Sequence, residues 1–217
     1  MVAPVLQAAS VCAVILAGGR ATRMGGADKG LQVFRDQTLA AIALERLRAQ
    51  SGGAPAQIAI NANRNLEHYA GLGVPVWRDS EPGYIGPLAG FLTAMRQSQG
   101  RYDYVLTVPC DSPLFPLDLL QRLAIALTAT GSDIAMAMAP EVQADGSSVL
   151  RPQPVFCLLR TSLADSLQGF IDGGGRKIGA WTASHPQTKL AFDTNGDDPR
   201  AFANANTLEE LHALEKP

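Results

Sequence analysis

Charge is scarce in this 217-residue chain: 18% of its residues are charged, and the net charge is −2. That balance excludes a general nucleic-acid or anionic-membrane partner, since both select clustered basic residues. Cysteine is scarcer. Cys12, Cys110 and Cys157 are odd in number and widely spaced, and they form neither a Cys-x-x-Cys pair nor a zinc pattern. Two of them sit in apolar runs, which reads as buried thiols in a reducing compartment and predicts a cytoplasmic location. Cys110 adjoins Asp111, but the three histidines lie in no motif, so cysteine has no base to activate it. Long hydrophobic runs are missing too. The apolar stretch near the N-terminus, residues 11–17, is seven residues long, against the roughly 20 needed to span a bilayer. No basic region precedes it and a glycine loop ends it, so it reads as a strand rather than a signal peptide. Repeats, charge runs, low-complexity tracts and linkers are also absent.

What is present is concentrated in one segment. Leu16-Ala-Gly-Gly-Arg-Ala-Thr-Arg-Met-Gly-Gly-Ala-Asp-Lys29 follows a strand-like run, Val11 to Leu16, and holds four glycines, two arginines and a lysine. Glycines let a backbone approach a ligand closely, and exposed N–H groups in such a loop attract phosphate oxygens. Arg20, Arg23 and Lys29 set three cations against one carboxylate, Asp28. A loop of this kind is expected to hold a polyphosphate. Neither the ATPase P-loop nor the Gly-x-Gly-x-x-Gly dinucleotide pattern fits it. The late cation, Lys29, is placed to reach over a triphosphate and offset charge on departing pyrophosphate.

The rest of the first half alternates strand and helix: a helix over 38–50, strands over 57–60 and 74–77, a helix from 86 to about 97, a strand over 104–108 and a helix over 117–128. This predicts a doubly wound, mostly parallel α/β sheet with helices on both faces, whose ligands bind beyond the carboxyl ends of the strands. Asn61, Asp79 and Asp111 each fall at such an end. The second half is less regular, with strands expected over 134–138, 155–159 and 190–192, a helix over 161–171, and a last helix over 208–214 opened by a Thr207–Glu210 capping box. The length suits one domain, 1–217.

Asp111, at a strand tip and near prolines, is the expected Mg2+ ligand, because magnesium is usually held by one or two carboxylates together with substrate phosphates. Asn204 and Asn206, two apart, face the same way in an extended chain. They are placed to complete the metal's water shell, to bind a phosphate, or to cap the following helix. Asp193 lies in a setting that reads equally as a turn. Asp79 offers two acceptor oxygens, a match for the adjacent N1–H and N2–H of guanine or for a ribose. Asn61 is a candidate for base or ribose.

Leu16-Ala-Gly-Gly, Arg23-Met-Gly-Gly, Asp28-Lys-Gly30, Asn61-Ala-Asn63-Arg64, Asp79-Ser80, Gly86-Pro-Leu-Ala-Gly90, Pro109-Cys-Asp111 and Asn204-Ala-Asn206-Thr207 occur in that order. As a set they resemble the molybdenum cofactor guanylyltransferases of the nucleotidyltransferase superfamily. The resemblance covers roughly 11–215 and is sparse from 130 to 190. It implies a Rossmann-like three-layer α/β/α fold and Mg2+-dependent transfer of GMP from GTP to the terminal phosphate of molybdenum-molybdopterin, with release of pyrophosphate. It further implies that Leu16, Ala17, Gly18, Gly19, Gly26, Lys29, Asn61, Asp79 and Asp111 bind the nucleotide. Arg23, Lys29 and Asp111 carry catalysis, with Asp111 on the metal. Arg176, Asn204 and Asn206 serve the acceptor, and Arg151 and Gln153 border it. Residues 11–130 would form the nucleotide half and 131–217 the acceptor half. Proteins of molybdopterin synthesis or molybdoenzyme maturation are the implied transient partners, with no nucleic acid and no membrane. A cytidylyltransferase is the near alternative, but that family has Leu-Ala-Ala-Gly where this chain has glycine at 18, which leaves room for a purine. Sugar-phosphate nucleotidyltransferases and a non-catalytic nucleotide-binding protein are the remaining ones.

Overall fold

The computed structural model describes residues 6–18, 28–80, 86–143 and 145–215. The first half runs β1 (Val11–Leu16), β2 (Val33–Phe34), β3 (Gln37–Thr38), α1 (Leu39–Arg48), β4 (Gln57–Asn61), α2 (Leu66–Ala70), β5 (Val76–Trp77), α3 (Pro87–Ser98), β6 (Tyr104–Pro109) and α4 (Leu119–Thr130). The second half runs β7 (Ile134–Val142), β8 (Ser148–Arg160), α5 (Ala164–Asp172), α6 (Ile178–Thr182), β9 (Gln187–Ala191) and α7 (Leu208–Glu215).

Seven strands form one sheet in the order β5-β4-β1-β6-β8-β7-β9. Its strands run parallel except β8, which is antiparallel to β6 and β7. From β1 the chain builds outward to β4 and β5, then returns to place β6 on β1's other side. That reversal opens a crevice at the carboxyl end of β1. Along β1 the pleat sends Val11, Ala13 and Ile15 to one layer and Cys12 and Val14 to the other. The first layer is completed by α1 and α4, through residues such as Leu47, Leu119 and Leu123. The second is completed by α3, α5 and α6, through Leu88, Phe91, Leu167 and Trp181. The fold is therefore a doubly wound, mostly parallel α/β sheet with helices on both faces. A smaller core of Phe34, Leu39, Ala205, Leu211 and Leu214 docks α7 on the β2–β3 hairpin and carries the C-terminal segment back to the first half.

Several local expectations are corrected. The β2–β3 hairpin turns at Arg35 and Asp36, with φ of 48° and 69°. That is the two-residue turn normally signalled by Asn-Gly, and no glycine marks it here. The strand expected from Val74 pairs only over Val76–Trp77, since Pro75 contributes a carbonyl but has no N–H. The strand expected at 155–159 extends over Ser148–Arg160 despite Pro152 and Pro154, because the register with β7 shifts between Met136 and Ala137 and a bulge absorbs residues 154–156. The carbonyl of Val155 in that bulge accepts from Thr107 Oγ1 at 2.6 Å. The helix expected over 161–171 opens as a 3-10 turn, Thr161–Leu163, before α5. The last strand occupies Gln187–Ala191 rather than 190–192, and α2 and α6 lie where no helix was expected. At α7, Glu210 N donates to Thr207 Oγ1 at 3.1 Å, but the Glu210 carboxylate accepts from Asn206 N, one residue before the capping-box position.

Candidate active site

The registers set Leu16 beside both Asn61 and Pro109, and Asn61 beside Trp77. The ladder continues one step past these tips: Ala17 N donates to Asn61 O at 2.8 Å, Ala62 N to Trp77 O at 3.0 Å and Cys110 N to Leu16 O at 3.1 Å. Gly18, Asn61, Asn63, Asp79 and Asp111 are thereby gathered along one edge of the sheet.

One corner of this edge is built around Asp79. Its Oδ1 accepts from Asn61 Nδ2 at 2.8 Å, its Oδ2 accepts from Asn63 Nδ2 at 2.7 Å, and its N–H donates to Asn63 Oδ1 at 2.9 Å. A carboxylate oxygen has two lone pairs, so each can still accept from a ligand carrying two adjacent donors. Asn61 is 2% exposed and also donates to Trp77 O at 3.2 Å, so its side chain acts on Asp79. Asn63, which sequence reasoning singled out only as part of a motif, holds the other oxygen. The signal was its spacing of two from Asn61, which puts both amides on one side of an extended chain. Gly90 closes the corner from α3: a Cβ there would come within 2.6 Å of Asn61 Oδ1 and 2.9 Å of Leu16 Cδ2. A methyl group at Gly18 would lie 3.2 Å from Asn63 Nδ2 and 3.4 Å from Asn61 Oδ1. Alanine at 18 would therefore press on the amides that hold Asp79.

The other corner is built around Asp111. Lys29 Nζ lies 2.8 Å from Asp111 Oδ2 and 2.7 Å from Asn206 Oδ1. Ala205 N donates to Asp111 O at 2.8 Å, and Ser112 Oγ donates to Asn204 Oδ1. The two asparagines are thus laid along 111–112 by both backbone and side chain. The following loop is latched by Arg46 of α1, which donates to Phe115 O at 2.6 Å and Leu114 O at 3.1 Å. The Lys29 and Asp111 side chains are 24% and 15% exposed, a half-desolvated pair that attracts more strongly than one on the open surface. Burial, then the neighbouring Asp111 and Asp28 carboxylates, push the Cys110 thiol above its ordinary range. It stays protonated, which leaves no nucleophilic thiolate beside Asp111.

Magnesium asks for oxygen ligands, and a site completed by phosphates and water needs only one or two carboxylates. Asp111, with the amide oxygens of Asn204 and Asn206 alongside, is a donor set of that kind. Among the described residues there is no cluster of three or more His, Cys, Asp or Glu that would hold a metal by itself.

Arg176 sits where α5 ends, and its Nη1 donates to Ile171 O at 2.9 Å and Gly175 O at 2.6 Å, which leaves Nε and Nη2 for another acceptor. Arg151 pairs at 3.8 Å with Glu141 across the β7–β8 hairpin, where Gln153 faces Ala137. Asp193 lines a cleft of about 660 Å³ with Pro140, Leu150 and Phe192. Gly19, Arg20, Arg23 and Gly26 lie outside the described residues.

The MobA-like NTP transferase domain model matches residues 13–188 of the chain. The molybdenum cofactor guanylyltransferase of Acidovorax ebreus (strain TPSY) is 57% identical over 206 residues, covering 94% of this chain and 95% of the relative. That of Albidiferax ferrireducens is 55% identical, covering 97% and 98%. Among solved structures, molybdopterin-guanine dinucleotide biosynthesis protein A from Archaeoglobus fulgidus superposes with a TM-score of 0.69 at 21% identity, covering 94% of this chain and 96% of the other. A 4-diphosphocytidyl-2C-methyl-D-erythritol synthase from Anaerococcus prevotii reaches 0.72 at 10% identity, covering 96% and 95%. At these identities the two structures show a shared fold alone.

Proposed function

Because the chain belongs to the molybdenum cofactor guanylyltransferases of the MobA-like NTP transferase family, we propose that it transfers GMP from GTP to the terminal phosphate of molybdenum-molybdopterin, releasing pyrophosphate. The observation that carries this reading is the pair of corners at one sheet edge: a carboxylate, Asp79, held by two amides, and a lysine, Lys29, held between Asp111 and Asn206. Guanine presents N1–H and N2–H side by side, and Asp79 keeps a lone pair on each oxygen to meet them. Asn61 and Asn63 orient that carboxylate. Leu16, Ala17 and Gly18 line the nucleotide, and the family motif assigns Gly19, Arg23 and Gly26 to its phosphates.

The acceptor phosphate is already anionic at neutral pH, so no general base is needed. Its oxygen bonds to the α-phosphorus as the bond to the pyrophosphate oxygen breaks, and negative charge moves onto the leaving group. Lys29, held by Asp111 and Asn206, neutralises that charge, the family motif assigns Arg23 the same role, and Asn204, Asn206 and the remaining N–H groups of Arg176 serve the incoming phosphate. Mg2+ would be held by Asp111 and supplies charge neutralisation and alignment of the phosphates when bound. Rate then comes from positioning and electrostatics.

The same reading treats 1–217 as one nucleotidyltransferase domain, with a nucleotide half over 11–130 and an acceptor half over 131–217. It places the protein in the cytoplasm, in transient contact with proteins that make molybdopterin or mature molybdoenzymes. Among the described residues, no helix is long and apolar enough to cross a membrane. Isothermal titration with GTP, CTP and ATP, each with Mg2+, tests the donor. GTP is expected to bind at least about tenfold more tightly than CTP, the scale of one good hydrogen-bonded discrimination. A preference for CTP would move the chain to cytidylyl transfer, and binding of none of the three would remove the nucleotide site.

A further inference from the structure

Lys29 enters the site from a single 3-10 turn, Lys29–Leu31, which is gripped from behind. Asp28 is 9% exposed, and its carboxylate accepts three hydrogen bonds: from Gly30 N at 3.2 Å, Tyr69 Oη at 2.6 Å and Asn65 Nδ2 at 2.9 Å. Tyr69 is fully buried in α2. Asn65, at the start of that helix, adopts a left-handed backbone with φ of 50°. The turn rests directly on the phenol, since a Cβ at Gly30 would stand 2.5 Å from Tyr69 Oη. Burial, then the hydrogen bond to Asp28, raises the tyrosine pKa, so the hydroxyl remains a donor throughout the working pH range. If packing alone were required, a phenylalanine would fill the space and no carboxylate would need desolvating. This polar cluster instead fixes the backbone on both sides of one residue, whose ammonium group is fixed in turn by Asp111 and Asn206.

We propose that Tyr69 is a positioning residue for the transfer reaction: with Asn65 it holds Asp28, and through that turn it aims Lys29 Nζ at the phosphates that leave as pyrophosphate. The proposal rests on the role given to Lys29 above. A preorganised cation lowers the barrier only while it stays in place as charge develops. Loosening its mount therefore costs more in the transition state than in the bound ground state, and kcat is the parameter that responds.

The test is a double-mutant cycle on the full chain with Tyr69→Phe, Lys29→Ala and the double variant, reading kcat and the KM for GTP. Tyr69→Phe is expected to lower kcat about 10-fold with KM changed less than about 3-fold, on the scale by which displaced catalytic groups lose rate. Lys29→Ala should lower kcat about 100-fold, as loss of a single transition-state donor does. Adding Tyr69→Phe to Lys29→Ala should cost nothing further, because the two act through one group. Asn65→Gly removes the amide while keeping the left-handed backbone accessible. It should show the same dependence on Lys29, and it serves if Tyr69→Phe fails to fold, since Asn65 is exposed. Equal losses with and without Lys29 would make the cluster merely structural and overturn the proposal. Unchanged kcat in Tyr69→Phe and Asn65→Gly would overturn it as well. A fully active Lys29→Ala would instead place the failure in the role assigned to Lys29, and the positioning role would fall with it.

Discussion

On the β4–β1–β6 side of the sheet, ionic and amide side chains at the strand tips bond to one another, as Asp79 does with Asn61 and Asn63 and Lys29 with Asp111 and Asn206. On the β8–β7–β9 side, cations bond to structure. Arg122 lies 2.6 Å from Asp197, donates to Ala191 O at 2.9 Å and stacks 3.8 Å above Phe192. Arg160 pairs with Asp133 at 3.0 Å over the ring of Tyr104, and Arg176 ends α5. The difference separates two uses of the same residue types. Groups that hold each other at an open edge keep lone pairs and charge for a ligand. Groups that tie helix, strand and turn together spend part of their hydrogen-bonding capacity on the fold, and Arg122 spends most of it there. The segment 204–206 belongs to the second region by sequence and to the first by contact.

The strongest way to break this contrast is Asp111→Asn, which keeps the shape but removes the carboxylate charge. Product formation is expected to fall by about 10³, on the scale of losing one preorganised electrostatic group, while GTP binding measured by titration persists. Near-normal turnover would remove Asp111 from the metal and from catalysis. Asn63→Ala tests the other corner. It deletes a hydrogen bond to a carboxylate, an interaction worth about 1.5–3 kcal/mol, so the KM for GTP should rise about 10-fold or more with kcat less affected. Steady-state kinetics with GTP and CTP would show this, and unchanged KM would mean Asp79 needs no second amide. Arg176→Ala gives the smallest expected effect. Loss of its helix-end bonds, about 1 kcal/mol, should lower Tm by about 2–4 °C in a domain of this size. The KM for molybdopterin should rise about threefold, half of a 1.4 kcal/mol decade on a logarithmic scale. A kcat loss rivalling that of Asp111→Asn would erase the distinction between the two sides.

Much of the first region was legible in the chain itself. Val11 to Leu16 reads as a buried strand because its residues are apolar throughout, and Asp111 follows Tyr104–Pro109 so closely that naming the strand places the carboxylate. Asp79 was legible for the same reason. The hairpin at Arg35–Asp36 was not, since neither residue advertises a left-handed φ. Nor was the extent of β8, because Pro152 and Pro154 argue locally against a strand that a bulge permits. Tyr69 reads locally as one more aromatic residue.

The sequence by itself determined much of the strand and helix alternation and the strand-end carboxylates, because those signals lie between neighbours along the backbone. Only the tertiary structure decided that Asn206 meets Lys29, 177 residues away, that Asn63 shares Asp79 with Asn61, and that Tyr69 carries Asp28. Such contacts follow from parallel strand register and from the docking of α7 on the β2–β3 hairpin, and these are settled only when the whole core packs at once.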